Sequence, residues 1–334
     1  MKILKESNIK KTISILLAGV FIFSLAACGS STSSTASSSS SSGSVVTQSS
    51  TASNSSVAAE SSTVSKGVKI KVGSKDFTEN LILGELYALA LENNGYEVQR
   101  VFNVASSVIH TSIVNNEIDI YPEYTGTGLL SILKHELVTD PQKVYDIVKE
   151  EYAKQFNLEW LNYSSANDGQ GLVIRTETAK KLGIKTLSDL QANADKIRFA
   201  SQGEFDLRED GIPALEKVYG KFDFKSSNVY DNGLKYQVLT NNEADVAVAY
   251  TTEGQLVNKD LFTLLEDDKY VWPPYNVAPV IRKDVLEKNK DIADIINKIS
   301  ASLDTEKITK LNAAVDVDKR EYEEVAKEYY NSLK

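Results

Sequence analysis

Cysteine is close to absent. Cys28 is the only one in 334 residues, so no intramolecular disulfide braces the fold. Histidine is nearly as scarce. His110 and His135 lack metal-ligand spacing, and His110 falls on the face of a predicted helix, where packing is its expected role. Gly-x-Ser-x-Gly is missing, as are the phosphate-cradling glycine loops of the Walker and dinucleotide types. Positive charge is in short supply as well. Against 46 aspartates and glutamates stand 37 lysines and arginines, a formal net charge of −9, which argues against nucleic acid as a partner. These gaps leave no nucleophile and no metal or cofactor set. The expectation is therefore a protein that is not an enzyme and carries neither cofactor nor metal.

The chain opens on a positive segment, Lys2, Lys5, Lys10 and Lys11, followed by the apolar stretch ISILLAGVFIFSLAA. That stretch has the length of a signal-peptide core and is short for a spanning helix. It ends at Leu25-Ala26-Ala27-Cys28, the bacterial lipobox pattern, in which the cysteine is acylated and becomes the new N-terminus. Residues 1–27 thus read as a lipoprotein signal peptide and Cys28 as the lipidation site. Residues 28–67 are dominated by Ser, Thr, Ala and Gly. Such a segment cannot bury enough surface to offset chain entropy and reads as a flexible tether with a reach of ~35 Å. Without the leader, which holds four lysines and Glu6, the net charge goes from −9 to −12. The expected location is the extracytoplasmic face of the cell membrane, held there by lipid. No later apolar run approaches the ~18–20 residues needed to cross a bilayer.

The remainder, from Val68 to Lys334, is long enough for two cores. A segment within it occurs twice. NNEIDIYPEYTGTG (Asn115 to Gly128) and NNEADVAVAYTTEG (Asn241 to Gly254) match at seven of fourteen positions and lie 126 residues apart. That period is too long for a solenoid and suits two similar lobes. Strand and helix alternate around each copy, which predicts an α/β fold with largely parallel sheets. Predicted strands are Val68–Gly73, Tyr96–Phe102, Ile118–Tyr121, Ile197–Ala200 and Ala244–Tyr250. Predicted helices are Thr78–Glu92, with Asp76 and Glu79 as a capping box, then Ser106–Asn115, one opened by Asp210-Gly211, and Asp231–Asn241. A second echo, Gly171–Arg175 and Val277–Arg282, reads as two strands carrying the chain out of lobe 1 and back. The expected division is lobe 1 at 68–171 and 277–334, lobe 2 at 172–276. The tail from Asp284 is helical by pattern and is expected on lobe 1.

Ligands of open α/β sheets sit beyond the C-terminal ends of strands. Tyr124 follows one such strand, Tyr250 ends another, and Tyr275 lies just before the return crossover. Sixteen tyrosines against two tryptophans are an excess; surface tyrosine is common and by itself means nothing, but tyrosines converging on a pocket hold cations against their π faces.

The residues now resemble a known family. Gly73-Ser74-Lys75-Asp76-Phe77-Thr78-Glu79-Asn80, Pro122-Glu123-Tyr124-Thr125-Gly126-Thr127-Gly128, Arg208-Glu209-Asp210-Gly211, Asp231-Asn232-Gly233-Leu234-Lys235-Tyr236, Ala249-Tyr250-Thr251-Thr252-Glu253-Gly254 and Pro273-Pro274-Tyr275-Asn276 are similar to the substrate-binding proteins of ABC importers for glycine betaine, carnitine and choline. The resemblance covers nearly all of 68–334. It implies a two-lobed periplasmic-binding-protein fold (type II-like) closing over its ligand, with Tyr124, Tyr250 and Tyr275 as walls of a quaternary-ammonium box. Thr127 matches a position in the same turn that touches ligand. Many relatives carry Asn-Thr-Tyr-Ala-Leu where this chain reads Asp168-Gly169-Gln170-Gly171-Leu172, so Gln170 replaces a box tyrosine. It loses a π face and gains a hydrogen-bonding group.

For a ligand carboxylate, the expected partners are backbone N–H groups near Ser74–Asp76 and Ser201–Glu204, with Lys75 or Arg208 supplying charge. The expected partners in the cell are an ABC permease and its ATPase, and the protein itself is expected to be a monomer. Two alternatives stand beside a simple quaternary amine. One is another zwitterion, a betainised or plain amino acid such as ergothioneine or proline. The other is a surface lipoprotein that senses its ligand.

Overall fold

The computed structural model describes residues 65–207 and 210–334. The leader, Cys28, nearly all of the Ser-rich segment and Arg208 lie outside the described residues. Among the described residues no helix is long and apolar enough to cross a membrane.

Among the described residues, ten strands form two five-stranded sheets. In chain order they are β1 (Lys69–Lys75), β2 (Glu97–Val104), β3 (Ile120–Tyr124), β4 (Leu158–Trp160), β5 (Gln170–Arg175), β6 (Arg198–Ser201), β7 (Ser226–Val229), β8 (Val246–Tyr250), β9 (Phe262–Leu264) and β10 (Val277–Arg282). The first sheet has the order β2-β1-β3-β10-β4 and the second β7-β6-β8-β5-β9. The two patterns are the same. Three parallel strands are followed by an antiparallel one, and a short fifth strand runs antiparallel to that. In both sheets the reversed strand is the one that arrives from the other sheet. The chain crosses at 161–169 to deliver β5 and returns at 265–276 to deliver β10. Both reversed strands are apolar on both faces, as a strand covered on either side must be: every residue of each is buried except the terminal arginine. The result is an α/β fold of two lobes.

The helix α1 (Thr78–Glu92) sits as the sequence predicts, but the capping box does not form. Phe77 takes the N-cap position with no side-chain cap, and Asp76 is exposed. Glu79 is drawn inward by distant partners described below. The strand predicted at Ile118–Tyr121 runs instead from Ile120 to Tyr124, through a proline. Pro122 is tolerated because β1 pairs with β3 only at Ile120, so beyond it that edge needs no N–H for a ladder. The helix predicted from Asp231 breaks into a 3₁₀ turn (Asn232–Leu234) and a helix (Lys235–Thr240), since Asn and Gly are weak helix formers.

Beyond β10 the chain is helical to its end. Helix Asp291–Ser302 buries Ile292, Ile295, Ile296 and Ile299, a spacing that puts one apolar stripe against α1. The helix Tyr322–Ser332 packs on α1 too. Helix Thr305–Asp316, capped by Asp304 through the Lys307 amide at 2.8 Å, does something more. While packed on α1 of lobe 1, it also rests on the turn Gly254–Val257 of lobe 2.

Candidate functional site between the lobes

The repeat ends at the junction of the lobes, and its shared residues have matching tasks. Asn115 and Asn241 close helices, while Asn116 and Asn242 take left-handed backbone at φ 64° and 60°, a region asparagine visits more readily than most residues. Asp119 accepts the Lys71 amide at 2.8 Å and the Arg282 guanidinium at 3.0 Å. Asp245 accepts the Arg198 amide at 3.0 Å and its guanidinium at 2.8 Å. Burial works to raise the Asp245 carboxyl, but the hydrogen bonds and charge of Arg198 outweigh it and hold the group below its ordinary value.

The two threonines clasp the crossovers. Thr125 Oγ1 donates to the Pro274 carbonyl at 3.1 Å and accepts the Asn276 amide at 3.0 Å. Thr251 Oγ1 donates to the Asn167 carbonyl at 2.7 Å and accepts the Gly169 amide at 2.8 Å. One threonine holds the return strand and the other the outgoing strand. The closing glycines are sites of close approach: a Cβ on Gly128 would meet Trp160 Cζ2 at 2.8 Å, and one on Gly254 would meet the Ala313 backbone nitrogen at 2.6 Å.

Tyr124 and Tyr250 end β3 and β8, paired across the ladder with Val277 and Gln170. The buried Tyr124 hydroxyl donates to Glu79 at 2.9 Å and accepts from Asn80 at 3.4 Å. Lys75 Nζ stands 4.9 Å from its ring centroid, and Phe77 packs at 6.1 Å. Lys235 Nζ lies 5.6 Å from the Tyr250 ring. Each lysine is neutralised by a glutamate, Lys75 by Glu123 and Lys235 by Glu253. Tyr275 packs on Gly126, where a Cβ would come within 2.7 Å of its ring, and its other edge approaches Gly169. Its amide donates to Asn167 Oδ1 at 2.6 Å. Gln170 is buried and donates to the Asp210 carboxylate at 2.7 Å; the Trp272 indole donates to the Asp210 carbonyl at 2.7 Å.

Other predicted residues are placed differently. Ser74 is fully buried, its hydroxyl spent on the Lys75 carbonyl at 3.1 Å, and the Lys75 amide is spent on Asn80 at 2.6 Å. Asp76 is exposed and Thr127 half-buried in the turn after β3. Glu204 opens the single turn Glu204–Leu207. In the loop before it, the Gly203 amide is bonded to Ser201 Oγ at 3.1 Å. His110 packs edge-on to Phe156 and Tyr152, and burial lowers its pKa. Among the described residues no group of three or more His, Cys, Asp or Glu could hold a metal ion.

Sequence reasoning missed a polar chain at the back of the junction. Asn312, on the helix that rests on lobe 2, donates to Glu79 at 3.0 Å and to the Thr252 carbonyl at 2.8 Å. Thr252 in turn donates to Asp168 at 2.6 Å. Burial raises the Glu79 carboxyl, against the lowering effect of its hydrogen bonds. Burial, then the charge of Glu79, pushes Asp168 well above the usual carboxylate range. Burial and these two acids keep the Tyr124 phenol protonated, its pKa pushed well above the ordinary value. Nothing local signals this chain, because its members come from four separated segments.

Two lobes joined by paired crossovers, with aromatic strand ends at the junction, make the kind of domain interface at which small-molecule sites are commonly built. The chain belongs to the family of the substrate binding domain of ABC-type glycine betaine transport systems, whose model matches residues 68–332. It is the substrate-binding component of an ABC importer. It is 33% identical over 265 residues to the ergothioneine transport permease/ergothioneine binding protein EgtU of Helicobacter pylori, a match that takes in 78% of this chain and 47% of that one. The chain thus spans about half the length of that relative. It is 31% identical over 264 residues to the carnitine transport binding protein OpuCC of Listeria monocytogenes, covering 78% of this chain and 85% of that one. A solved structure described as a glycine betaine/carnitine/choline ABC transporter superposes with a TM-score of 0.73 at 27% identity, covering 79% of this chain and 97% of that one.

Proposed function

We propose that this protein captures a quaternary-ammonium solute of the glycine betaine, carnitine or choline type between its lobes and delivers it to a membrane permease driven by an ATPase. The carrying observation is the matched placement of Tyr124 and Tyr250 at the ends of β3 and β8, beside the two crossovers. With Tyr275 they form the aromatic wall, and each desolvated cation–π contact is worth ~2 kcal/mol. The Glu79 carboxylate, which accepts from Tyr124 and Asn312, adds negative potential that favours a cation. The protein performs no chemistry; capture is paid back as preferential stabilisation of the closed form. Lobe 1 comprises residues 68–160 and 277–334 and lobe 2 residues 170–264, joined by the crossovers 161–169 and 265–276, so the lobe 2 strand β5 begins two residues before the boundary that the sequence suggested. Acylated Cys28 anchors the monomer to the outer face of the membrane through the tether. Mass spectrometry of the purified chain tests the anchor: an unmodified Cys28 with an intact leader refutes it.

Gln170 favours a second reading. With Asp210 it makes a polar wall in place of the box tyrosine that the family resemblance implies for many relatives, and such a wall suits a zwitterion with a hydrogen-bonding arm. A betainised amino acid such as ergothioneine has that chemistry, and the Helicobacter pylori relative carries ergothioneine in its name. The test is a titration of the full chain in detergent micelles with choline, glycine betaine, carnitine, ergothioneine, proline and free amino acids, read by tryptophan fluorescence. Saturable binding of a quaternary amine is expected. Binding of plain amino acids alone would overturn the cationic box.

A further inference from the structure

We propose that the chain Glu79–Asn312–Thr252–Asp168 is a proton-dependent latch between the lobes, and that Asp168 holds its proton. Its three links are hydrogen bonds: Asn312 to Glu79 at 3.0 Å, Asn312 to the Thr252 carbonyl at 2.8 Å, and Thr252 to Asp168 at 2.6 Å. Glu79 and Asn312 belong to helices of lobe 1, Thr252 to lobe 2, and Asp168 to the outgoing crossover. The contact is tight. Gly254 lies against the backbone of Asn312 and Ala313 so closely that any side chain there would collide with it. Parting the lobes must break the Asn312–Thr252 bond and expose both acids to water.

Charge balance places the proton. Facing the two acids are Lys75 of β1, Tyr124 of β3 and Glu253 before the lobe 2 turn, while Asp316 ends the bridging helix beside Thr78. Lys75 is committed to Glu123, Glu253 is committed to Lys235 and Tyr236, and Asp316 accepts from Thr78 at 2.6 Å. No cation in this set is left over for either carboxylate, so the two acids do not both carry a charge. Glu79 accepts hydrogen bonds at both oxygens, from Tyr124 and from Asn312, so it serves as the anion. Asp168 accepts from Thr252 and keeps some exposed surface, so it exchanges a proton with solvent.

The sign of the linkage follows. Burial, and then Glu79, raise the Asp168 carboxyl in the latched form; hydration on opening returns it toward the ordinary range near ~4. The latched form therefore binds the extra proton. Latching is favoured as pH falls through the raised value and gains nothing further below the ordinary one. One proton bounds the effect at tenfold per pH unit.

Two measurements on the full chain in detergent micelles test this. The first is hydrogen exchange of 251–257 and 305–316 without ligand, corrected for intrinsic rates, at pH 5.5 and 7.5. Protection should be greater at pH 5.5, by at most about a hundredfold over the two pH units, and Asp168→Asn should hold it at one level at both pH values. Glu79→Gln, which removes the opposing charge, should shrink the difference. The second is calorimetric titration with choline, whose own charge does not change with pH, in buffers of differing ionisation enthalpy. Proton uptake on binding is expected for the native chain and none for Asp168→Asn. Equal pH responses of native chain and Asp168→Asn in exchange overturn the latch. The link to affinity rests on the binding reading above, while the exchange arm does not. If choline fails to bind, that reading suffers and exchange alone decides the latch.

Discussion

The paired threonines offer a direct test of how the lobes are joined. Thr125→Val keeps the shape of the side chain and removes its hydroxyl. The Pro274 carbonyl and the Asn276 amide then lose their partner, and Asn276 is buried while Thr125 itself is fully enclosed. Each bond is worth ~1 kcal/mol net, and stranded partners add desolvation cost, so the loss is about 2–4 kcal/mol. For a folded part of this size each kcal/mol lowers Tm by roughly 2–4 °C, which puts the expected shift between about 4 and 16 °C. Thr251→Val strands the Asn167 carbonyl and the Gly169 amide. Thr251 is only half-buried, so water replaces part of what is lost and the shift should be smaller. Thr125→Ser, which restores the hydroxyl, should recover most of the stability. Thermal unfolding followed by circular dichroism reads all three. A Thr125→Val melt within about 1 °C of the native chain would refute the clasp, as would equal losses for Thr125→Val and Thr125→Ser.

Other perturbations address the site itself. Gly126→Ala would drive a Cβ to 2.7 Å from the Tyr275 ring and 2.9 Å from the Pro274 carbonyl; overpacking of this kind costs ~1–3 kcal/mol, so choline or betaine should bind about tenfold more weakly, and an unchanged affinity would take Tyr275 out of the wall. Gln170→Tyr should tighten simple betaines by about tenfold by restoring one cation–π contact, whereas unchanged or weaker binding would remove position 170 from the cage. Lys75→Met leaves Glu123 buried without its cation and should cost about 3–5 kcal/mol in urea unfolding; a loss below ~1 kcal/mol would mean that Glu123 finds water or another donor.

Local signals made much of this fold legible. Helix α1 follows from the turn residues at its ends and the crossover strands β5 and β10 from their shared apolar letters, while the tail from Asp284 follows from its helical pattern, with buried isoleucines at 292, 295, 296 and 299. What could not be read depends on partners far away in sequence. Pro122-Glu123-Tyr124 breaks a strand pattern, yet it is strand, because Lys75 neutralises the buried Glu123 from 48 residues upstream. Asp76 and Glu79 have capping-box spacing, yet no box forms, because Asn312 holds Glu79 from 233 residues downstream. The threonines of the repeat were visible as shared letters. Their role was not, because the groups they clasp lie 82 to 151 residues from them.

The repeat therefore divides into two kinds of position with different physical duties. The shared Asn, Asp, Thr and Gly residues build the same frame twice: a left-handed turn, a clamp on the strand start, a clasp on a crossover and a point of close backbone approach. None of these needs to know the ligand. The unshared positions surround the two tyrosines and differ in charge and reach. Glu123 faces Lys75 in the first copy where the second has Ala249. Gly126 makes room for the Tyr275 ring, whereas Thr252 in the second copy reaches Asp168. Thr127 is replaced by Glu253, which holds Lys235 beside Tyr250. Substitution of a shared residue should cost stability whatever is bound. Substitution of an unshared one should change which solute is held and at what pH. Two-fold likeness builds the junction, and departure from it at Gly126/Thr252 and Thr127/Glu253 sets the environment each tyrosine presents.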